Sequence, residues 1–226
     1  MTKIVVTLVA LTLLPCAFAV DGVVLINQST VLAAGGFPYV ISQPGSYKLS
    51  GNLTVPDANT TAIFINANNV SIDLNGFSIL GPTVCTQSFP TTCSPTGIGL
   101  GVDGGNSSTR GASVTVFNGS VHGIGGNGIF LFSGGGHVEN VHADQNGGKG
   151  IEVQTGIVRN STATLNGSDG IYGFLITVSG NTVYLNGGNG IKVGCPSSVV
   201  GNTSVSNGLA DIATDPIGCA LANNAN

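Results

Sequence analysis

The side chains that could do acid–base or metal chemistry are few in this chain of 226 residues. Six lysines and arginines stand against ten aspartates and glutamates, and the net charge is −4 with histidine neutral. Hydrolysis of a glycosidic bond needs two carboxyl groups, one on each side of the bond, and no segment places two acids on one outward face. The three histidines, His122, His137 and His142, fall at unlike positions of a sequence repeat. The sequence therefore predicts no catalytic pair, no metal site and, with so few cations, no nucleic-acid partner.

The repeat itself predicts the architecture. Valines recur every 20 or 21 residues, at Val138, Val158, Val178 and Val199. Isoleucines that follow a glycine form a second column, at Ile129, Ile151, Ile171 and Ile191. Self-similarity at this period, in copies too small to bury an apolar face alone, indicates a solenoid. The copies hold short β-branched pieces cut by Asn and Gly, so the coils are predicted to consist of strands and turns.

A third column contains asparagines, each followed by glycine: Asn146, Asn166, Asn186 and Asn207. Successive coils of a β-solenoid stack about 4.8 Å apart, so that equivalent residues form ladders. Asparagine tolerates the left-handed conformation in turns, and its amide bonds to nearby backbone groups. These four residues are therefore predicted to be structural.

The sequence divides into four predicted parts. Residues 1–19 read as a signal peptide, because one early cation and a short apolar run precede Ala17-Phe18-Ala19. Residues 20–60 are expected to cap the stack, residues 61–215 to form about six to seven coils with an inserted loop at 82–96, and residues 216–226 to form a tail. No later apolar run approaches the roughly 20 residues that a membrane span requires. We therefore expect a secreted protein, extracellular or periplasmic, whose oligomeric state is left open.

Four cysteines follow the predicted signal peptide: Cys85, Cys93, Cys195 and Cys219. An even number in an exported chain favours disulfides, with three possible pairings. Proximity favours Cys85 with Cys93 and Cys195 with Cys219, and the alternatives are free thiols or a metal site.

The phrase Asn-Val-Ser-Ile-Asp-Leu-Asn-Gly-Phe at 69–77, followed by Gly-Ile-x-Val units and Asn-Thr-Val-Tyr-Leu-Asn-Gly at 181–187, resembles a known family. It is similar to the right-handed parallel β-helix repeat proteins of the pectin-lyase-like superfamily, over roughly residues 37–215. The resemblance implies an all-β parallel β-helix. It does not by itself imply an activity, because the superfamily holds lyases, hydrolases, epimerases and adhesins.

The catalytic motifs of those enzymes are absent or incomplete here. Gly136-His137-Val138 lacks the paired aspartates of polygalacturonases, and Asp215-Pro216-Ile217-Gly218 keeps two residues of an epimerase-like run without the two that would act. The acids that a calcium-dependent lyase would need are scattered in the sequence. No cofactor is expected, and calcium enters only if the protein is a lyase.

The residues that directly follow the four repeated isoleucines are predicted to point outward from their sheet. They combine aromatic and charged side chains: Phe130, Glu152, Tyr172 and Lys192. Aromatic rings stack on sugar rings, and charged groups bond hydroxyls, so this column is the candidate carbohydrate-binding surface. We expect a non-catalytic, carbohydrate-associated or structural extracellular module with polysaccharide as its partner. The alternative is a small polysaccharide lyase or uronan epimerase-like enzyme.

Overall fold

The computed structural model describes residues 22–87, 91–105, 112–215 and 218–226. The predicted signal peptide lies outside these ranges. The described chain forms an all-β parallel β-solenoid of about 9 turns with one short helix. No helix in this part of the protein has the length and apolar character needed to cross a membrane.

One sheet, called the first sheet, takes one strand from each successive coil, and all its strands pair in parallel. Its strands, in spatial order, are β2 (Tyr39–Ile41), β5 (Ile63–Ile65), β10 (Val102–Asp103), β12 (Ile129–Leu131), β14 (Ile151–Val153), β17 (Ile171–Phe174), β20 (Ile191–Gly194) and β23 (Ile212–Asp215).

The second sheet contains the other two faces of the stack. One face consists of β1 (Val23–Ile26), β3 (Gly45–Leu49), β6 (Val70–Asp73), β11 (Val114–His122), β13 (Gly136–Asp144), β15 (Gly156–Arg159), β18 (Ile176–Ser179), β21 (Ser198–Val200) and β24 (Ala220–Ala222). The third face consists of β4 (Leu53–Thr54), β7 (Ser78–Leu80), the later halves of β11 and β13, β16 (Thr162–Thr164), β19 (Thr182–Tyr184) and β22 (Thr203–Val205).

The number of coils is about nine rather than the predicted six to seven. Residues 20–60, which were expected to form a cap, supply β1, β2, β3 and β4 to the same two sheets. The sequence repeat did not reveal these early coils because their strands are unevenly spaced along the chain. The six-residue helix α1 (Gln28–Ala33) lies between β1 and β2, and Asn27 caps its N-terminus by accepting a hydrogen bond from the Thr30 N–H.

The interior is apolar, and its columns follow the predicted period. Ile129, Ile151, Ile171 and Ile191 are all 0% exposed, as are Val138, Val158, Val178 and Val199. Each isoleucine lies directly beside the next in the first sheet. Burial of such columns is the main favourable contribution to folding, since every coil removes apolar surface from water on both of its sides.

The inserted loop folds as an antiparallel hairpin, β8 (Val84–Cys85) and β9 (Cys93–Ser94), closed by the Cys85–Cys93 disulfide. Cys93 Sγ lies 3.6 Å from the carbonyl oxygen of Asn146 and 4.0 Å from that of Leu165. The hydroxyl of Thr91 donates to the carbonyl oxygen of Leu185 at 2.7 Å. The hairpin therefore lies across the turns of three successive coils.

Candidate functional site

The first sheet holds the candidate column in direct register. Phe130 pairs with Glu152, Glu152 with Tyr172, and Tyr172 with Lys192. On the N-terminal side the column continues through Asp103, which pairs with Phe130. Because parallel strands lie about 4.8 Å apart, these side chains form one line along the axis of the stack.

A second outward column runs beside the first, two residues further along each strand. It contains Phe132, Gln154, Phe174, Gly194 and Asp215. Gly194 pairs directly with Phe174 on one side and with Asp215 on the other. Sequence reasoning missed this column, although the period-2 alternation of a strand would have found it. Phe132 is 40% exposed and Phe174 is 44% exposed, so both rings face solvent. The two columns together define what we call the outer face of the first sheet.

Glu152 is the buried member of this face, at 6% exposure. Its Oε2 accepts hydrogen bonds from Lys149 Nζ and Asn127 Nδ2, both at 2.8 Å, and its Oε1 accepts one from Gln154 Nε2 at 3.1 Å. Burial of a carboxylate is tolerable because charged and polar donors satisfy it. These bonds fix the positions of Glu152 and Lys149 relative to each other.

Lys149 connects the turn before the sheet to the aromatic column. Its ammonium, paired with Glu152, also lies 4.1 Å from the centroid of the Tyr172 ring, which is a cation–π distance. Asp169, which follows Lys149 by one coil, does not pair with it: Asp169 Oδ1 accepts from the backbone and side-chain nitrogens of Asn189, at 2.7 and 2.8 Å.

A cavity of about 160 Å³ opens at the C-terminal end of the face, lined by Tyr172, Phe174, Lys192, Val193, Gly194 and Asp215. The Phe174 ring lies over Gly194, and a Cβ at that glycine would overlap the ring. Gly194 thus lets the ring lie flat as a wall of the cavity. The remaining polar groups are one ammonium, one carboxylate and one phenol hydroxyl.

Lys192 differs from the other described cations. Lys48 pairs with Asp73, Lys149 with Glu152, and Arg159 with Glu139. Within the described ranges, Lys192 forms no ion pair with a carboxylate. It is therefore the cation that can bind an anionic ligand without first breaking an internal pair.

Asp103 lies at the other end of the face, beside Phe130. Burial raises the pKa of its carboxyl, and the Gly105 N–H, which donates to Oδ1 at 2.8 Å, opposes that change. The acids of the face, Asp103, Glu152 and Asp215, thus lie on separate strands, and between Asp103 and Asp215 four further strands intervene.

Other charged residues form pairs outside this face. Arg159 donates to Glu139 Oε2 at 2.7 Å, and this bond lowers the pKa of the Glu139 carboxyl. His122 Nδ1 lies 2.7 Å from Asp144 Oδ2, and this hydrogen bond raises the pKa of the imidazole. Among the described residues no three His, Cys, Asp or Glu side chains are grouped to hold a metal ion.

The predicted asparagine column forms a continuous ladder inside the stack. Asn146 donates its backbone and side-chain N–H groups to Asn166 Oδ1, Asn166 does the same to Asn186, and Asn186 to Asn207. Asp211 ends the ladder by accepting both bonds from Asn207. All four asparagines are 5% exposed or less.

The left-handed conformation that was predicted for these asparagines falls instead on the residue before each one. Gln145, Leu165, Leu185 and Ser206 have φ of 54°, 55°, 56° and 57°. The preceding residue makes the bend because each asparagine side chain must point inward to reach the next coil. Leu165 and Leu185 are therefore turn residues, and Leu165 is nevertheless buried, at 8% exposure.

Both predicted disulfides are present, Cys85–Cys93 and Cys195–Cys219. The first closes the hairpin over the ladder turns. The second joins the turn after β20 to the segment before β24, and so links the last two coils.

Two solved structures have low similarity to this chain. No family model matches the chain, and no curated protein matches its sequence. The A-module of the mannuronan C-5 epimerase AlgE4 of Azotobacter vinelandii is 15% identical, with a TM-score of 0.46 over 82% of this chain and 53% of that one. A mutant of the periplasmic alginate epimerase AlgG is 12% identical, with a TM-score of 0.42 over 90% of this chain and 54% of that one. This chain spans about half the length of both structures.

Proposed function

We propose that this protein is an exported β-helix module that binds acidic polysaccharide along the outer face of its first sheet and does not turn it over. The observation that carries the proposal is the direct register of Tyr172 with the unpaired Lys192, beside a cavity that Phe174 and Asp215 also line. The two disulfides support an oxidising compartment, such as the periplasm or the cell exterior.

The chemistry of the face fits a sugar acid. Exposed aromatic rings offer apolar planes to the C–H faces of pyranose rings. The Lys192 ammonium can pair with a carboxylate on the same sugar or the next one. The strands that carry these groups pair with a neighbour on each side, so the surface is rigid before a ligand arrives and loses little entropy on binding.

The absence of turnover is proposed because the acids of this face are poorly placed for acid–base work. Glu152 is 6% exposed, and its carboxylate already accepts hydrogen bonds from Lys149, Asn127 and Gln154. Calcium takes roughly six to eight oxygen ligands, and the cavity offers the single carboxylate of Asp215. The donor set therefore does not fit that ion.

The binding proposal is tested by titrating the purified protein with polymannuronate and polygalacturonate in low salt. Tyr172→Ala should weaken binding about fivefold, as expected when a stacking plane worth roughly 1 kcal/mol is lost. Thr182→Ala, an exposed change on the third face, is the matched control and should bind as wild type. The thermal midpoints of both variants should stay close to wild type because both side chains point outward. Failure of both polyuronates to bind would contradict the proposal.

A lyase or epimerase-like activity is the second candidate, favoured by one observation. Tyr172, Lys192 and Asp215 line a single cavity and so bring together a phenol, a cation and a carboxylate, the groups that proton abstraction beside a sugar carboxylate uses. Ultraviolet absorbance of unsaturated ends would report lyase activity, and proton NMR of the polymer would report epimerisation. Turnover that disappears in Lys192→Ala would replace the binding proposal with this one.

A further inference from the structure

A groove runs along the stack on the other side of the corner that follows the first sheet. It consists of a cavity of about 440 Å³, whose lining includes Leu175, Thr177, Pro196 and Ser198, and one of about 260 Å³, whose lining includes Ile157. Leu175 directly follows Phe174 in the chain. The corner at Phe174 and Leu175 therefore separates this groove from the cavity of the first sheet.

The two cavities are parts of one strip because their lining residues lie in direct register. Each residue of the strip pairs with the next: Thr115, His137, Ile157, Thr177, Ser198 and Ala220. Six coils at about 4.8 Å per step give a groove about 24 Å long, parallel to the axis of the stack. This length suits an extended polymer rather than a compact small molecule.

The groove carries no full charge. None of the residues that line either cavity is Lys, Arg, Asp or Glu, and His137 is the one titratable residue among them. The lining combines the hydroxyls of Thr177 and Ser198 with the apolar surfaces of Leu175 and Pro196. An acidic chain would gain no counter-charge here, whereas an uncharged one would match the surface.

The backbone N–H and C=O groups of the strip already take part in hydrogen bonds between coils. Residues of β15, β18 and β21 hydrogen-bond to the coils on both sides, so a peptide laid along the groove would find no free row of N–H and C=O groups to pair with. Side-chain hydroxyls at the spacing of the coils suit a sugar chain, which brings hydroxyls of its own.

Leu175 forms a lip of the larger cavity. It is 47% exposed and has φ 54°, the left-handed conformation that other turn residues of this stack also adopt. Its side chain therefore presents apolar surface to a ligand at the edge of the cavity.

The walls of the larger cavity are joined covalently. Cys195 precedes Pro196, and Cys219 lies between Gly218 and Ala220, which line the same cavity. Their disulfide links the two wall segments, so that the groove exists before a ligand binds.

We infer that this groove is a second binding site and that it takes an uncharged saccharide chain. The C–H faces of the sugar rings pack on Leu175 and Pro196, and its hydroxyls bond to Thr177 and Ser198. The inference does not rest on the proposed function, because no residue that lines the groove also lines the cavity of the first sheet.

The test is a calorimetric titration of the full chain with neutral β-1,4-linked glucose and mannose oligosaccharides. Leu175→Gly removes the lip and suits the left-handed backbone, so it should keep or raise the thermal midpoint while weakening binding about tenfold. Ser198→Trp should block the groove. Leu185→Gly, at φ 56° in a different turn, is the matched control and should bind as wild type.

Two results would overturn the inference. One is that neither neutral oligosaccharide binds at millimolar concentration, and the other is that Leu175→Gly and Ser198→Trp both bind as wild type. Tyr172→Ala should leave neutral binding unchanged. Loss of polyuronate binding alone therefore concerns the first sheet, and loss of neutral binding alone concerns the groove.

Discussion

Replacing Asn166 with alanine should destabilise the protein far more than a change at a turn usually does. The side chain is 0% exposed and takes part in four hydrogen bonds. Its Oδ1 accepts from the backbone N–H and Nδ2 of Asn146, at 3.1 and 2.9 Å. Its Nδ2 donates to the carbonyl oxygen of Ala143 at 3.0 Å and to Asn186 Oδ1 at 2.9 Å. The substitution therefore affects the coil on each side.

The expected cost follows from which partners are left without a bond. The Asn146 backbone N–H loses its acceptor, whereas Asn146 Nδ2 keeps Val121 O at 3.2 Å, and Asn186 Oδ1 keeps the Asn166 N–H at 3.0 Å. A net hydrogen bond contributes about 1 kcal/mol, and a buried unpaired donor costs about 1–3 kcal/mol. We expect Asn166→Ala to lower the free energy of unfolding by about 2–4 kcal/mol.

Urea unfolding followed by far-ultraviolet circular dichroism measures this change. Ser179→Ala is the control, since Ser179 lies on the outer side of the second sheet and outside the ladder. The midpoint of Asn166→Ala should fall well below that of Ser179→Ala, with the urea slope unchanged. Equal midpoints for the two variants would refute the argument that the ladder joins the coils.

The repeat predicted the interior columns because stacking forces equivalent residues to share one environment. Ile151 and Val158 could be assigned to the core without a structure for that reason. The coils within residues 20–60 could not be assigned, because their strands are unevenly spaced and do not follow the period of the later coils. The left-handed turn residues were also missed, since backbone strain at Leu165 follows from where Asn166 must point and not from the propensity of leucine.

The candidate site was only partly predictable for a related reason. The period of the repeat predicted that Tyr172 lies next to Lys192, because strand pairing alone determines which residues are neighbours in the sheet. The contacts of Lys149 with Glu152 and Tyr172 depend on how far a long side chain reaches out of a turn, which a repeat does not encode. Leu175, the lip of the groove, lies at a corner, where the alternation of a strand no longer applies.

Two further changes test the packing and the electrostatics of the stack. Gly167→Ala should lower the thermal midpoint, because its Cβ would overlap the Gly147 carbonyl oxygen of the preceding coil, whereas Gly51→Ala meets no contact closer than 3.5 Å and should change it little. The hydrogen bond to Asp144 raises the pKa of His122, so the protonated imidazole stabilises the folded state. That contribution is complete below the unfolded pKa of about 6.5 and is lost as pH rises through the higher folded value. The midpoint difference between wild type and His122→Gln should therefore be largest at mildly acidic pH and shrink above neutrality. A difference that stays constant over that range would mean that the pair does not stabilise the fold through its charge.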